Sequence, residues 1–152
     1  MTLSDVITVC ADMRPEDRAC VRAMCGTEPG DWFAVERWKT DGPAWTLDQD
    51  GQPWVVGGMS FGNAWTGTMW MVARPGVRGE TWRKVLRIAR MMLTVLRPEH
   101  PMHRHRVEAL VLEGWTGAER LADRLGLVLE GTHRAMGSNM ESVQRRAAVR
   151  AS

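Results

Sequence analysis

Three imidazoles stand close together at His100, His103 and His105, in the run Pro-Glu-His-Pro-Met-His-Arg-His-Arg106, and three thiols occur at Cys10, Cys20 and Cys25. Imidazole and thiolate are the usual ligands of zinc, but zinc sites use short fixed spacings or recruit carboxylates. Here Arg104 and Arg106 repel a cation and no Cys-x-x-Cys spacing occurs. No metal is expected. An odd number of cysteines also fails to make a disulfide framework, so the expectation is reduced, mostly buried thiols.

Arginine is the other chemically apt group, because its planar guanidinium pairs with phosphate and carboxylate. Positive charge is nearly all arginine, with lysine only at Lys39 and Lys84, and it gathers between Arg74 and Arg106 and again at Arg145, Arg146 and Arg150. The net charge of +2 is too small to point to nucleic acid. Arg83, Lys84, Arg87, Arg90 and Arg97 lie opposite an apolar helix face and are expected to be solvated. Eight tryptophans accompany no tyrosine. So many indoles cannot all pack inside one small core with a partner for each N–H, so some must face outward, where Trp beside Arg suits a protein contact. Trp65, Arg145, Arg146 and Arg150 are the contact residues expected on this ground.

The chain of 152 residues, 44% hydrophobic and 25% charged, suits one globular domain. It has no apolar run near the roughly 20 residues that cross a bilayer and no signal-peptide pattern at its start. The expected place is a cytoplasm.

The elements that must position these groups follow from periodicity and turn signals. Val6 to Ala11 is β-branched and reads as a strand. Pro15 opens a helix that runs to about Cys25, with Gly26 and Pro29-Gly30 as stops. Asp31 to Trp38 is a short helix. Ala44 to Leu47 and Pro53 to Phe61 flank an Asp50-Gly51 hairpin turn, and Gly67 to Ala73 reads as the next strand. Trp82, Val85, Leu86, Ala89, Met92, Leu93 and Leu96 mark one face of a helix ending at Pro98. A polar loop precedes a strand from Arg106, a helix over Trp115 to Leu125, and a strand from Leu127 to Gly131. Residues 1–140 read as the domain and 141–152 as a basic C-terminal tail able to order on a partner.

The run from Trp115 to Leu127 resembles the Asn-x-x-Ala-x-x-Leu-Tyr-x-x-Leu-Gly-Phe helix of the Gcn5-related N-acetyltransferases (GNAT). Ala118, Leu121, Leu125, Gly126 and Leu127 match, while Trp115 stands for the Asn and Ala122 for the Tyr. The resemblance spans roughly Val6 to Gly137. It implies an α/β fold with a GNAT-like mixed, mostly antiparallel central sheet and helices on both faces.

It also implies where chemistry would sit. In the family a Gln/Arg-x-x-Gly-x-Gly/Ala loop wraps a pyrophosphate in backbone amides at a helix start. The matching frame here is Arg74-Pro-Gly-Val77-Arg-Gly79, with Val77 at the middle glycine. If coenzyme A binds, the implied contacts are Val72, Arg74, Arg78, Gly79 and Thr81. The family's Tyr, which returns a proton to the leaving thiolate, has no counterpart at Ala122, and the nearest candidates for the base are Glu108 and Glu113. The chain most resembles small GNAT-like proteins of tailed bacteriophages, including the internal virion protein of short-tailed phages, which share the Asp-Gly hairpin, Gly57-Gly58, Trp70-Met-Val72 and a basic helix entered directly; the altered loop and the missing Tyr point away from chemistry. That resemblance implies a non-catalytic virion assembly protein with no cofactor, made in the host cytoplasm and carried in the particle. Its partners would be other virion proteins or a second copy, not a membrane or nucleic acid. The alternative is an acetyl-CoA-dependent N-acetyltransferase acting on a protein or small amine.

Overall fold

A computed structural model describes residues 1–150. Its first element is a helix, α1 (Leu3–Ala11), where a strand is expected. The local cause is a capping box: Thr2 Oγ1 accepts from Asp5 N at 3.2 Å and Asp5 Oδ2 accepts from Thr2 N at 2.8 Å. Val6, Val9 and Cys10, spaced three and four apart, are then all buried on one face. That helical period outweighs the strand preference of the β-branched residues.

Helices α2 (Pro15–Cys25) and α3 (Asp31–Trp38) follow, then β1 (Ala44–Gln49), β2 (Gln52–Ser60) and β3 (Thr66–Ala73). Asp50 and Gly51 join β1 to β2 with φ of 55° and 72°, the two positive values a tight two-residue hairpin needs. Next come α4 (Gly79–Met92), a 3-10 turn (Leu93–Leu96), β4 (Arg106–Leu112), α5 (Thr116–Arg124), β5 (Val128–His133) and β6 (Val143–Val149). Arg83, Lys84, Arg87, Arg90 and Arg97 are exposed, the solvated stripe expected of them.

The sheet runs β1-β2-β3-β4-β6-β5 and is antiparallel except between β3 and β4. Because side chains alternate along β2, Val56 packs with α1 to α3 on one face, while Val55 and Met59 pack with α4 and α5 on the other.

The segment expected to be a detached basic tail is instead an interior strand. β6 lies between β4 and β5, and Val143, Gln144, Arg146 and Ala147 are buried. Arg146 can be buried because its guanidinium donates to Asp123 of α5 and, through Nε, to Gln144 Oε1 at 2.9 Å. Arg146 is therefore no surface contact; Arg145 is half-buried, and Arg150 and Trp65 are exposed. Residues 151 and 152 of the expected tail lie outside the described residues. Removing residues 143–150 would strip β5 of its neighbour in the sheet. We expect such a truncation to lose its cooperative thermal transition in circular dichroism, whereas an independent tail would leave the midpoint unchanged.

Candidate active site

β3 and β4 pair only over Thr66–Thr68 with Arg106–Glu108, and beyond these residues the strands part. The N–H of Ala73 points away from β2, so by alternation Met69 and Met71 also turn main-chain groups toward the gap. A cavity of about 290 Å³ fills the split and passes through the sheet. On one side it is walled by α2 and α3, with Asp17, Cys20, Phe33 and Arg37; on the other by α4 and α5, with Val85, Ala89, Leu121 and Ala122. The lining is mostly apolar.

Two adjacent glycines make room for two indoles of its wall. Gly57 and Gly58 face opposite sides of β2, and a Cβ on Gly57 would lie 2.5 Å from Trp45, one on Gly58 2.9 Å from Trp70. Each glycine lets an indole lie flat on its face of the sheet, and both indoles line the cavity.

The side of the cleft near α2 is fastened by a buried carboxylate. Asp17 Oδ2 accepts from Arg14 Nε at 2.7 Å and from Ala73 N at 3.1 Å, while Arg14 N donates to Ala73 O at 2.9 Å. This seals the end of the β3 edge. The Arg14 guanidinium also reaches Trp82 at the start of α4 and Trp115 at the start of α5, 4.9 Å and 5.4 Å from the ring centroids. One side chain thus ties together three elements around the cleft. Burial pushes the Asp17 carboxyl above its ordinary value against the pull of Arg14. Asp17 and Arg14 carry no motif; only their places on either side of Pro15, at a Pro-opened helix start, hint at them.

The residues expected in a cofactor cradle are only partly free for it. Arg74 Nε pairs with Asp12 at 3.0 Å and its guanidinium covers Trp54; Arg78 pairs with Asp50 at 2.7 Å. The buried side chain of Gln49 accepts from Arg78 N at 3.0 Å and Thr81 Oγ1 at 3.2 Å, which fixes the loop to the hairpin end. Val77 packs into the cluster of Val55, Ala73 and Val85, so its side chain is committed to the core instead of standing over the loop amides. Val72 is buried in the cavity wall. The first bond inside α4 is Trp82 N to Arg78 O, and no side chain caps this helix. The amides of Gly79, Glu80 and Thr81 precede that bond, and Gly79 has open space where a Cβ would be. The split thus offers a mostly apolar passage, and the start of α4 offers three amides ahead of its first helical bond, the kind of donor set an anion takes.

Other expected residues lie elsewhere. Glu108 is bound to Arg106 Nε at 3.0 Å, Glu113 is exposed, and neither is among the residues lining the cavity. Ala122, in place of the Tyr, does line it, as does Trp115. His103 hydrogen-bonds Val95 O at 3.1 Å and its ring lies 5.2 Å from that of His105. Burial pushes the Cys10 thiol up to about 12 and Cys20 to about 11, while Cys25 is exposed.

No family model matches the sequence, and no curated protein matches it. Solved structures do match the fold. A GNAT-family acetyltransferase from Bacillus anthracis is 14% identical with a TM-score of 0.70, the match covering 99% of this chain and 92% of that one. The ribosomal-protein-S18-alanine N-acetyltransferase of Escherichia coli is 12% identical with a TM-score of 0.70, over 99% of this chain and 88% of that one. An acetyltransferase from Salmonella typhimurium, solved with its cofactor acetyl-CoA, is 12% identical with a TM-score of 0.70, over 100% and 92%. The chain has the GNAT fold, as the helix from Trp115 to Leu127 leads one to expect.

Proposed function

We propose that this chain is an acetyl-CoA-dependent N-acetyltransferase whose cleft is the split between β3 and β4. The observation that carries this reading is the cavity itself, which passes between the strands and has lining residues on both faces of the sheet. The virion-assembly reading draws no comparable support, since the neighbours in fold are acetyltransferases. Contacts through exposed Trp65 and Arg150 remain a separate proposal.

Met69 and Met71 would meet the amides of the pantetheine arm through their main-chain groups, and the start of α4 would meet the pyrophosphate. When bound, acetyl-CoA supplies an activated acetyl thioester, whose acetyl carbon bonds to the amine nitrogen as its bond to sulfur breaks, the nitrogen losing one proton and the departing thiolate gaining one. Asp17 is the carboxylate in the cavity wall, and its raised pKa suits it to accept that proton. Glu108 and Glu113 have no part in this arrangement. Ala122 has no proton to give the departing thiolate, so that proton comes from water entering the cleft, and turnover is slow.

The test is release of free thiol from acetyl-CoA by the purified chain in the presence of amines, with the product identified by mass. Amine-dependent thiol release that Asp17→Asn reduces about 100-fold is expected. Release independent of any amine would sink the reading.

A further inference from the structure

Two charged side chains line the cavity, Asp17 and Arg37. Asp17 is balanced by Arg14. Arg37, near the end of α3, has no carboxylate within ion-pair distance among the described residues, and its guanidinium sits 5.5 Å from the ring centroids of both Phe33 and Trp70. Its Nε is buried without a hydrogen-bond partner, and so is the indole Nε1 of Trp70. A buried donor left unbonded costs roughly 1–3 kcal/mol, so a small turn of either side chain that brings its donor from the cavity wall to an acceptor oxygen of a ligand is favoured. Gly58 is what allows the Trp70 indole to lie there.

Resting on the acetyltransferase reading for the role of the amine, we infer that the acceptor is a small amine carrying a carboxylate, the class of free amino acids. The carboxylate is held by the Arg37 guanidinium and the Trp70 N–H on the α3 side of the cleft. The apolar remainder of the acceptor suits lining residues of the same side such as Phe33 and Met24. A polyamine is disfavoured because each added ammonium group meets the uncompensated charge of Arg37.

The experiment is calorimetric titration of the full chain with L-leucine and L-phenylalanine, each beside the amine that lacks only the carboxylate, isoamylamine and phenethylamine, with spermidine as a fifth probe. The same five are then assayed for acetyl transfer. Each amino acid is expected to bind about 100-fold more tightly than its decarboxylated partner. Arg37→Gln should erase the difference by weakening the amino acids while the plain amines, freed of the repelling charge, bind no less tightly than before, and Trp70→Phe should reduce it about 10-fold. Arg37→Lys, which keeps the charge but not the fork, serves if the Gln variant fails to fold.

Equal binding of acid and amine, stronger binding of spermidine, or no amino-acid binding at all would overturn the inference. Arg37-dependent amino-acid binding without acetyl transfer to any probe would uphold the carboxylate site and refute the acetyltransferase reading instead.

Discussion

Replacing Asp17 with Ala is expected to lower the unfolding free energy by about 3 kcal/mol, since removing one member of a buried pair leaves the other charge unpaired. The carboxylate is only 2% exposed. Its loss strands Arg14 between Trp82 and Trp115 and leaves the Ala73 amide without an acceptor. A fall of roughly 6–12 °C in melting temperature corresponds to that loss in a domain of this size. Asp17→Asn keeps an acceptor oxygen and should cost less, about 1 kcal/mol.

The two chains should also differ in their pH dependence. The native carboxyl of Asp17 lies above its ordinary value of 3.8, so between those two values the folded state binds the extra proton. The contribution of Asp17 to stability therefore falls as pH rises through the native value. Relative to Asp17→Asn, the parent protein should gain stability on acidification through this window, read from denaturant melts at a series of pH values. A parent that loses ground to the Asn variant on acidification would show that Arg14, not burial, dominates the carboxyl.

Installing the phenol that the family helix leads one to expect should change the rate the most. Ala122 lines the cavity, so a Tyr there is the substitution that brings a phenol to the cleft. A positioned general acid typically contributes 10²- to 10⁴-fold, and we expect Ala122→Tyr to raise the rate of thiol release about 100-fold. A new falling limb near pH ~10, where a phenol ionises, is the signature that distinguishes proton donation from mere repacking. A slower enzyme without that limb would mean that Ala122 is small to make room for the acceptor or the arm.

Much of the fold was readable in the sequence where one local signal acts alone. The Asp50-Gly51 turn, the apolar stripe of α4 and the Ala118 to Leu127 pattern each specify their element without help from distant residues. α1 reads as a strand in sequence because β-branched residues suit both a strand and the buried side of a helix, and the Thr2 and Asp5 capping box that decides between them spans only four residues. β6 reads as a tail for a different reason. Gln144 and Arg146 look solvated until Glu119 and Asp123 of α5 are folded against them, a contact that periodicity does not contain.

The site divides in the same way. Gly57 and Gly58 stood out in the sequence, but that each seats an indole beside the cleft depends on cross-strand register. Val77 stands where a phosphate-wrapping loop has its middle glycine, and its packing against Val55 and Val85 shows why a branched side chain is useful there. Asp17 and Arg37 could not be nominated, because their meaning comes from which charged neighbours they have and lack in space.

The central claim is that the parted strands β3 and β4 hold acetyl-CoA, and calorimetric titration of the full chain with acetyl-CoA tests it most directly. The account predicts one site per chain with a dissociation constant in the micromolar range, about −8 kcal/mol at 1 μM, accompanied by a rise in melting temperature that grows with ligand concentration. No heat of binding and no thermal shift at millimolar acetyl-CoA would contradict it.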